Sequence, residues 1–268
     1  CSVGFGFIEI GTVTPRPQPG NPKPRVFRLE KANAMINRLG FNSKGVDHLV
    51  RQAQKRKFRG ILGINIGKNF DTPNEKAVVD YLICLEKVYP HADYITINIS
   101  SPNTRNLRDL QEAEQLDGLL GELNQKRLQL AQTFQKKVPL LVKIAPDLED
   151  KQIPAIAEVV VRNQFEGLIA TNTTISRDAV NGMRHAHEEG GLSGAPLKNK
   201  ANHVLAAFRA ALPDGIALIG TGGITTGEDA AEKIQLGADL VQFYTGFVYK
   251  GPDLVNDCLK DIKAKKPA

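Results

Sequence analysis

Seven short runs of apolar and β-branched residues recur along the chain, separated by longer stretches with helical patterning. The runs occupy residues 5–13, 60–67, 94–100, 139–145, 167–173, 216–223 and 239–246. Most of them are continuously apolar, which is typical of parallel strands that are covered on both faces. A chain that alternates strands with helices in this way is expected to form a parallel α/β fold.

The segments between these runs place apolar residues along one helical face. Residues 77–88, 153–161 and 254–262 carry this pattern, and Thr226 is the expected cap of a further helix. A closed barrel built from such units has eight strands. Seven strands, and a first residue that is not Met, predict a (β/α)8 TIM barrel from which the first strand and helix are absent. A doubly wound open sheet is the alternative.

The composition is that of an ordinary globular protein, with 41% hydrophobic and 24% charged residues. A length of 268 residues permits two domains or one large barrel, and the single series of strand–helix units favours one barrel domain over residues 1–268. The net charge of +6 arises from Lys and Arg that are mostly spread along the chain. This distribution disfavours a nucleic-acid groove and is compatible with anionic small molecules or a membrane surface.

Cysteine usage points to a reducing compartment. The three cysteines, Cys1, Cys84 and Cys258, are too few for a disulfide framework, and no Cys/His cluster in the sequence suggests zinc. A run of about 18 uncharged apolar residues, as a membrane-spanning helix requires, does not occur in these residues.

A proline-rich segment, residues 14–29, interrupts the alternation after the first strand. Its five prolines, at positions 15, 17, 19, 22 and 24, exclude a helix or a central strand. The segment could serve as a linker or as a polyproline ligand for another domain. Because the flanking strands belong to one barrel, we favour a structured excursion over one end of that barrel.

Polar residues stand at the carboxyl end of nearly every predicted strand, where the active site of such a barrel lies. They are Asn65, Asn98, Lys143, Thr171, Asn172, Thr173, Thr174, Tyr244 and Thr245. Each by itself is also common in turns, but the set predicts a polar ligand. The sequences GTGG (220–223) and FYTG (243–246) follow the last two strands, where such barrels bind phosphate. GTGG alone is equally typical of a plain turn.

Two further features suggest the chemistry. Lys143 places a cation inside an apolar strand, and it is explained either by a flavin that becomes anionic on reduction or by a structural ion pair. The segment NISSPNT (98–104) is typical either of a simple turn or of a catalytic loop. In a catalytic loop, Ser101 would be a base or proton carrier between the amides of Asn98 and Asn103, which suit a planar substrate with several amide groups. NRLGF (37–41) adds another amide and an aromatic ring.

Several classes of enzyme are disfavoured. The five histidines, at 48, 91, 185, 187 and 203, lie away from the strand ends, and we interpret His185 and His187 as surface residues. No Ser-His-Asp arrangement is therefore predicted, and no metal site. Carboxylate pairs are lacking at the strand ends, which argues against a glycosidase or an enolase-type metal enzyme. Asp147 is expected to cap the helix that follows it.

Nine motifs in series carry a resemblance to a known family. They are GTVTPRPQPGNPKPRVFRL, NRLGFNS, GINIGKN, NISSPNT, LVKIAPD, ATNTT, GGLSGAPL, GTGGI and LVQFYTG. Over essentially the whole chain this set resembles the dihydroorotate dehydrogenases, and specifically their membrane-associated, quinone-using class 2. Ser101 favours class 2, because the soluble class 1 enzymes are similar but carry a cysteine as the base.

The resemblance implies FMN at the mouth of the barrel. Matched by motif, the flavin contacts would be Thr12, Asn65, Asn98, Lys143, Thr171, Gly194, Gly223, Tyr244 and Thr245. Lys143 would stabilise the reduced flavin.

Dihydroorotate, which the family oxidises to orotate, would be bound by a second set of residues. These are Asn37, Arg38, Leu39, Gly40, Phe41, Asn98, Asn103, Asn172 and Thr173. Ser101 would take a proton from one ring carbon while the adjacent carbon gives a hydride to the flavin. Because serine is a poor base, its proton would leave through a relay lined by Thr104 and Phe41. Residues 176–193 resemble a lid over the substrate.

The resemblance also implies partners and a location. A quinone would accept the electrons, in the pathway that makes UMP, and the enzyme would be a monomer attached peripherally to the cytoplasmic side of a bacterial inner membrane, or to the mitochondrial inner membrane. The family's two membrane-associating helices and its first strand, with a substrate-binding lysine, find no match in these residues. The chain by itself is therefore expected to bind FMN poorly and to be inactive.

Two other functions are compatible with parts of the sequence. One is another FMN-dependent or sugar-phosphate barrel, and the other is a binding barrel without activity. The clustered amides of NISSPNT and ATNTT disfavour the first, and the presence of Ser101 and Lys143 disfavours the second.

Overall fold

The computed structural model describes residues 3–57, 59–104 and 106–265. Within them the strands are β1 (Phe7–Val13), β2 (Val26–Leu29), β3 (Ala34–Asn37), β4 (Ile61–Ile66), β5 (Tyr94–Asn98), β6 (Leu140–Ile144), β7 (Gly167–Ala170), β8 (Gly191–Gly194), β9 (Ala217–Thr221) and β10 (Leu240–Gln242). The α-helices are α1 (Val46–Gln54), α2 (Ala77–Val88), α3 (Ala113–Phe134), α4 (Gln152–Arg162), α5 (Lys198–Ala211), α6 (Gly227–Gln235), α7 (Thr245–Lys250) and α8 (Asp253–Lys265).

The main sheet has seven parallel strands in the order β1-β4-β5-β6-β7-β9-β10. Each of the seven predicted strands is present, and their spatial order follows the chain. A doubly wound sheet would reverse its order part-way, so that alternative is wrong. The last strand ends earlier than predicted, because residues from Thr245 onward form α7.

Contacts between strands that are not neighbours show that this sheet curls. Lys143 of β6 and Gln242 of β10 are separated by two strands, yet Lys143 Nζ lies 3.5 Å from Gln242 Oε1. In a flat sheet the two strands would lie roughly 14 Å apart, since adjacent strands are spaced by about 4.8 Å. The outer edges of β1 and β10 pair with no other strand among the described residues. The fold is therefore a partly closed α/β barrel of the TIM class.

Alternation along the strands separates two apolar layers. Val142 and its neighbours on one side pack against the helices, including the buried Tyr81 and Leu85 of α2. On the concave side Leu141, Ile169 and Ile219 form a smaller apolar cluster with Tyr94 and Phe7. This inner cluster fills the barrel below its carboxyl ends and supports the polar residues above it.

The proline-rich segment is structured, so the linker interpretation is wrong. It leads into β2, which pairs with β3, and β3 pairs in turn with β8 in a three-stranded antiparallel sheet. A small core of Phe27, Ile36, Val180 and Leu192 stabilises this sheet. Asn103 Nδ2 donates to the Asn37 carbonyl over 3.0 Å, which places the small sheet above the carboxyl end of β5.

Some local predictions are confirmed and others are wrong. Thr226 caps α6 as predicted. Asp147 does not cap α4, because that helix begins only at Gln152 and Lys151 stands at its cap position. His185 is half-buried rather than on the surface, with its ring 5.4 Å from that of Phe27.

Two of the three cysteines are placed. Cys84 and Cys258 are buried free thiols, while Cys1 lies outside the described residues. Burial raises the pKa of both thiols, that of Cys258 to about 12. No helix in the described part of the chain has the length and apolar character needed to cross a membrane.

Candidate active site

A ladder of side-chain hydrogen bonds joins the carboxyl ends of β1, β4 and β5. Thr12 Oγ1 donates to Asn65 Oδ1 over 2.6 Å, and Asn98 Nδ2 donates to Thr12 Oγ1 over 2.9 Å. Asn65 and Asn98 are almost completely buried. Three of the residues predicted at the flavin site are thus brought into one connected group at the mouth of the barrel.

Glu9, which the sequence analysis missed, supports this ladder from below. Its carboxylate accepts hydrogen bonds from Asn65 Nδ2 at 2.9 Å, Thr96 Oγ1 at 2.8 Å and the Tyr94 hydroxyl at 3.1 Å. Burial and the neighbouring Glu9 carboxylate raise the pKa of Tyr94. A charged residue inside an apolar strand is the signal that singled out Lys143, and it would have found Glu9 too.

Ser101 lies in a buried turn just beyond β5. Its Oγ accepts the backbone N–H of Asn103 over 3.2 Å, and only 6% of the residue is exposed. Thr104 is 4% exposed, and its hydroxyl has no hydrogen-bond partner among the described residues. Beside Thr104 lies a crevice of about 1080 Å³, which is also lined by Lys68, Phe70 and Asn103. The predicted base and relay hydroxyl are therefore close in the fold, next to an opening.

The end of β7 joins the same site. Asn172 Nδ2 donates to Ser100 Oγ over 3.0 Å and to Asn98 Oδ1 over 3.3 Å. The hydroxyl of Thr173 is buried and has no partner in the described part of the chain. Thr171 is buried and its hydroxyl bonds to the Asn172 carbonyl, which turns it toward its own loop.

Lys143 is half-buried on the concave side of β6. Its Nζ lies 3.5 Å from Gln242 Oε1, and within residues 3–57, 59–104 and 106–265 no carboxylate forms a salt bridge with it. The structural ion pair considered for this residue is therefore not observed, and the cation is available to a ligand.

Two glycines expected at the flavin site, Gly223 in a predicted phosphate loop and Gly194 in β8, are closely packed. Gly223 has φ +80°, and a Cβ there would overlap the backbone of Lys198. Gly194 has φ +97°, and a Cβ there would overlap the Asn33 carbonyl. Thr245 begins α7, and its hydroxyl donates to Ser193 Oγ over 2.8 Å. Tyr244 is set apart from this group, with 72% of its surface exposed.

The segment 37–41 borders the site, but only some of its side chains contact site residues. Asn37 contacts Asn103, while the guanidinium of Arg38 binds Glu188 at 2.8 Å in the predicted lid. Leu39 and Gly40 contribute carbonyls to the hydrogen bonds that hold the excursion, with Asn21 N and Gln18 Nε2 as donors. Phe41 has φ +52° and packs against the main core.

The predicted lid contains a positively charged residue that organises its ends. Arg177 donates to the carbonyls of Thr174, Ile175, Ser176, Glu188 and Gly190. Burial lowers the pKa of Arg177. The described residues contain no group of three or more His, Cys, Asp or Glu side chains arranged to hold a metal ion.

Comparisons with known proteins show the family of this chain. The model of the dihydroorotate dehydrogenase family matches residues 1–265. The chain belongs to the dihydroorotate dehydrogenase family.

The relatives with this family's name cover the chain almost completely. A dihydroorotate dehydrogenase (quinone) of Burkholderia pseudomallei strain 668 is 59% identical over 262 residues, which are 98% of this chain and 77% of that protein. The same name and identity apply to a protein of Burkholderia mallei strain SAVP1, with 98% and 76% covered. The crystal structure of DHODH from Eimeria tenella in complex with ferulenol superimposes with a TM-score of 0.91 at 40% identity, covering 98% of this chain and 75% of that one.

Other residues of this dihydroorotate dehydrogenase family member contact the site but were not predicted from the sequence. Ser193 accepts a hydrogen bond from Thr245, and Gln242 lies next to Lys143. Arg108 binds Asp147 behind the Ser101 loop. Ser193 lies within the GGLSGAPL motif without being singled out by it, and Arg108 lies in none of the nine motifs. Only the folded chain brings them to their partners.

Proposed function

We propose that this protein oxidises dihydroorotate to orotate, with FMN as the hydride acceptor and a quinone as the final electron acceptor, in the pathway that makes UMP. The proposal is supported by the family membership and by the relatives named dihydroorotate dehydrogenase (quinone). The observation that carries it is Ser101, a buried hydroxyl just beyond a strand end, which accepts the Asn103 N–H and directly follows Ser100, the partner of the Asn172 amide.

The residues present fit FMN. Lys143, which has no carboxylate partner among the described residues, and the polar ladder of Thr12, Asn65 and Asn98 match the needs of a polar ring system. The glycine loop at 220–223 stands after β9, where barrels of this class bind phosphate. The residues proposed to hold it are Thr12, Asn65, Asn98, Lys143, Thr171, Gly194, Gly223, Tyr244 and Thr245. When bound, FMN accepts the hydride that leaves the substrate.

Amide side chains are proposed to bind and orient the substrate. Asn98, Asn103 and Asn172 each offer a donor and an acceptor, which complement the amide groups of the dihydroorotate ring. The hydroxyl of Thr173, which has no partner in the described part of the chain, supplies a further hydrogen bond at the same edge. Asn37, Arg38, Leu39, Gly40 and Phe41 close the other side.

Ser101 is proposed to remove the proton. Its Oγ accepts a proton from one ring carbon, while the adjacent carbon loses the hydride. Since a serine hydroxyl is a poor base at neutral pH, its own proton must move on. The acceptor that we propose is the hydroxyl of Thr104 next to the crevice, which has no partner among the described residues. Phe41 is proposed to line the same path, as the resemblance implies. Lys143 provides positive charge inside the barrel, where negative charge develops.

The remaining parts of the proposal rest on the class 2 resemblance. They are the binding of a quinone, peripheral attachment to the cytoplasmic side of the inner membrane, or to the mitochondrial inner membrane, and a monomeric state. That residues 1–268 form a single domain also stays a prediction, as does poor FMN binding by this chain alone.

Anaerobic reduction of the flavin tests the function on the complete gene product. Adding dihydroorotate to the yellow protein is expected to bleach the flavin absorbance. Ser101→Ala is expected to slow the bleaching by about 10²- to 10⁴-fold, the usual contribution of a general base. Thr133→Ala, which removes an exposed hydroxyl at the far end of α3, is the control and should bleach as the parent does.

Two outcomes would contradict the proposal. If the parent protein is yellow but dihydroorotate does not bleach it, the flavin assignment stands and the substrate assignment is wrong. A colourless protein would exclude the cofactor assignment.

A further inference from the structure

Arg108 lies behind the active site, in the turn that follows the Ser101 loop. Its guanidinium donates from Nε to the Ser100 carbonyl over 3.1 Å and from its second terminal nitrogen to the Thr173 carbonyl over 2.8 Å. The other terminal nitrogen binds Asp147 Oδ2 at 2.8 Å. The side chain is 19% exposed and that of Asp147 is 12% exposed. The contact is therefore largely shielded from solvent.

The two carbonyls belong to the two loops that carry the proposed chemistry. Ser100 directly precedes Ser101, and Thr173 follows Asn172 in the segment proposed to hold the substrate. Asp147 comes from the loop after β6, between the strands that lead into these loops. A single side chain thus connects the carboxyl ends of three adjacent strands.

Asp147 is itself held on several sides. It accepts the hydroxyl of Thr174, the Ile175 N–H at 3.0 Å and Lys200 Nζ at 2.7 Å in addition to Arg108. Burial alone would raise the pKa of Asp147, but these hydrogen bonds lower it below its ordinary value. The carboxylate is consequently ionised, and it fixes the guanidinium from behind.

An arginine suits this position because its planar group presents several donors in fixed directions, whereas a lysine ammonium is a point charge. A lysine could still pair with Asp147, but it could not span both carbonyls at once. Replacing Arg108 with lysine therefore removes the bridge between the two carbonyls and retains the positive charge.

We propose that Arg108, fixed by Asp147, is a positioning residue that sets the separation between Ser101 and the substrate-binding pair Asn172 and Thr173. The inference rests on the function proposed for this site. Removing the bridge displaces the base relative to the substrate carbon, and a displacement of about 1 Å typically costs about 100-fold in rate.

Arg108→Lys in the complete holoenzyme is the test variant, with Arg209→Lys as its matched control. Arg209 also binds loop carbonyls, those of Leu212, Pro213 and Ile216, and lies 3.9 Å from Asp239, but at the amino end of β9. We would measure flavin reduction by dihydroorotate, orotate binding, flavin reoxidation by a soluble ubiquinone analogue, and the melting temperature.

Arg108→Lys is expected to slow flavin reduction by about 100-fold and to weaken orotate binding, while reoxidation by the quinone keeps the parental rate. Arg209→Lys is expected to leave the rates of both half-reactions unchanged, even if it lowers the melting temperature as much as Arg108→Lys does. Asp147→Asn keeps the shape of the side chain. It should also slow flavin reduction while leaving reoxidation unchanged, but by a smaller factor than Arg108→Lys.

Hydrogen exchange measured without substrate gives the second readout. The backbone amides of residues 99–104 and 171–176 should exchange faster in Arg108→Lys than in Arg209→Lys. Unchanged exchange, or equal slowing of both half-reactions, would overturn the inference. If the parent fails to react with dihydroorotate, the proposed function falls, and the exchange experiment still decides whether Arg108 joins the two loops.

Discussion

Lys233 shows at the scale of one residue how a buried charge is accommodated outside the active site. This residue of α6 is fully buried, donates to Asn202 Oδ1 of α5 over 2.7 Å and packs against Gly220 of β9. A Cβ on Gly220 would lie 3.1 Å from Lys233 Cδ, so the glycine leaves room for the lysine stem. Burial lowers the pKa of Lys233 to about 8.

This pKa predicts a pH-dependent stability. An unfolded lysine titrates near 10.5, so between about 8 and 10.5 the unfolded chain binds more protons than the folded one. The free energy of unfolding of the parent, relative to Lys233→Met, should rise with pH across this window by roughly 3 kcal/mol, at 1.36 kcal/mol per pH unit. Urea unfolding of both proteins at pH 7 and at pH 10 measures it. A difference that does not change with pH would mean that the amine is solvated.

At the scale of one element, α6 begins at Gly227, separated by three residues from the glycine loop at 220–223. Thr226 Oγ1 accepts the Asp229 N–H over 3.2 Å, and Asp229 Oδ2 accepts the Thr226 N–H over 3.0 Å, which together form a capping box. Lys198 Nζ binds the other oxygen of Asp229 at 3.0 Å. The cap thus fixes the start of the helix and, through it, the end of the proposed phosphate loop.

Removing the Thr226 hydroxyl should lower the free energy of unfolding by about the contribution of one hydrogen bond. Thr226→Ala is expected to lower the free energy of unfolding by about 1 kcal/mol, whereas Thr226→Ser keeps the hydroxyl and most of the stability. Denaturant unfolding of the two variants beside the parent measures the difference. Equal losses in Ala and Ser would show that the methyl group, and not the cap, is responsible.

At the scale of the whole molecule, the site is closed by segments that are far apart in the chain. The excursion sheet contributes β3, the lid ends in β8, and the two strands pair from Ala34↔Gly194 to Asn37↔Gly191. Arg177 binds carbonyls at both ends of the lid, and Arg38 binds Glu188. Excursion and lid therefore form one cover over the carboxyl ends of the barrel strands.

Loosening the lid should expose it to proteases without unfolding the barrel. In Arg177→Gln the five carbonyl contacts are lost, so cleavage within residues 176–190 should become faster while the melting temperature changes little. Arg184→Gln, at an exposed position of the same lid, is the control. If both variants are cut at the parental rate, Arg177 does not hold the lid closed.

Patterns confined to a few neighbouring residues predicted much of the fold. The seven strands of the barrel, the faces of α2, α4 and α8, and the cap at Thr226 were all predicted, because apolar periodicity and capping depend on residues close in sequence. The four-residue strand β8 was not predicted, because its partner β3 lies about 160 positions away, as in Ala34 and Gly194. Asp147 was assigned to a nearby helix for the same reason.

The sequence by itself determined the class of barrel, the family, and the residue types gathered at the strand ends. Only the tertiary structure decided how those residues are connected: Glu9 under Asn65, Lys143 without a carboxylate partner among the described residues, and Arg108 between Ser100 and Thr173. The physical reason is that hydrogen bonds and ion pairs depend on distances of about 3 Å. Such distances between residues 50 or more positions apart arise only when the sheet curls and its loops meet.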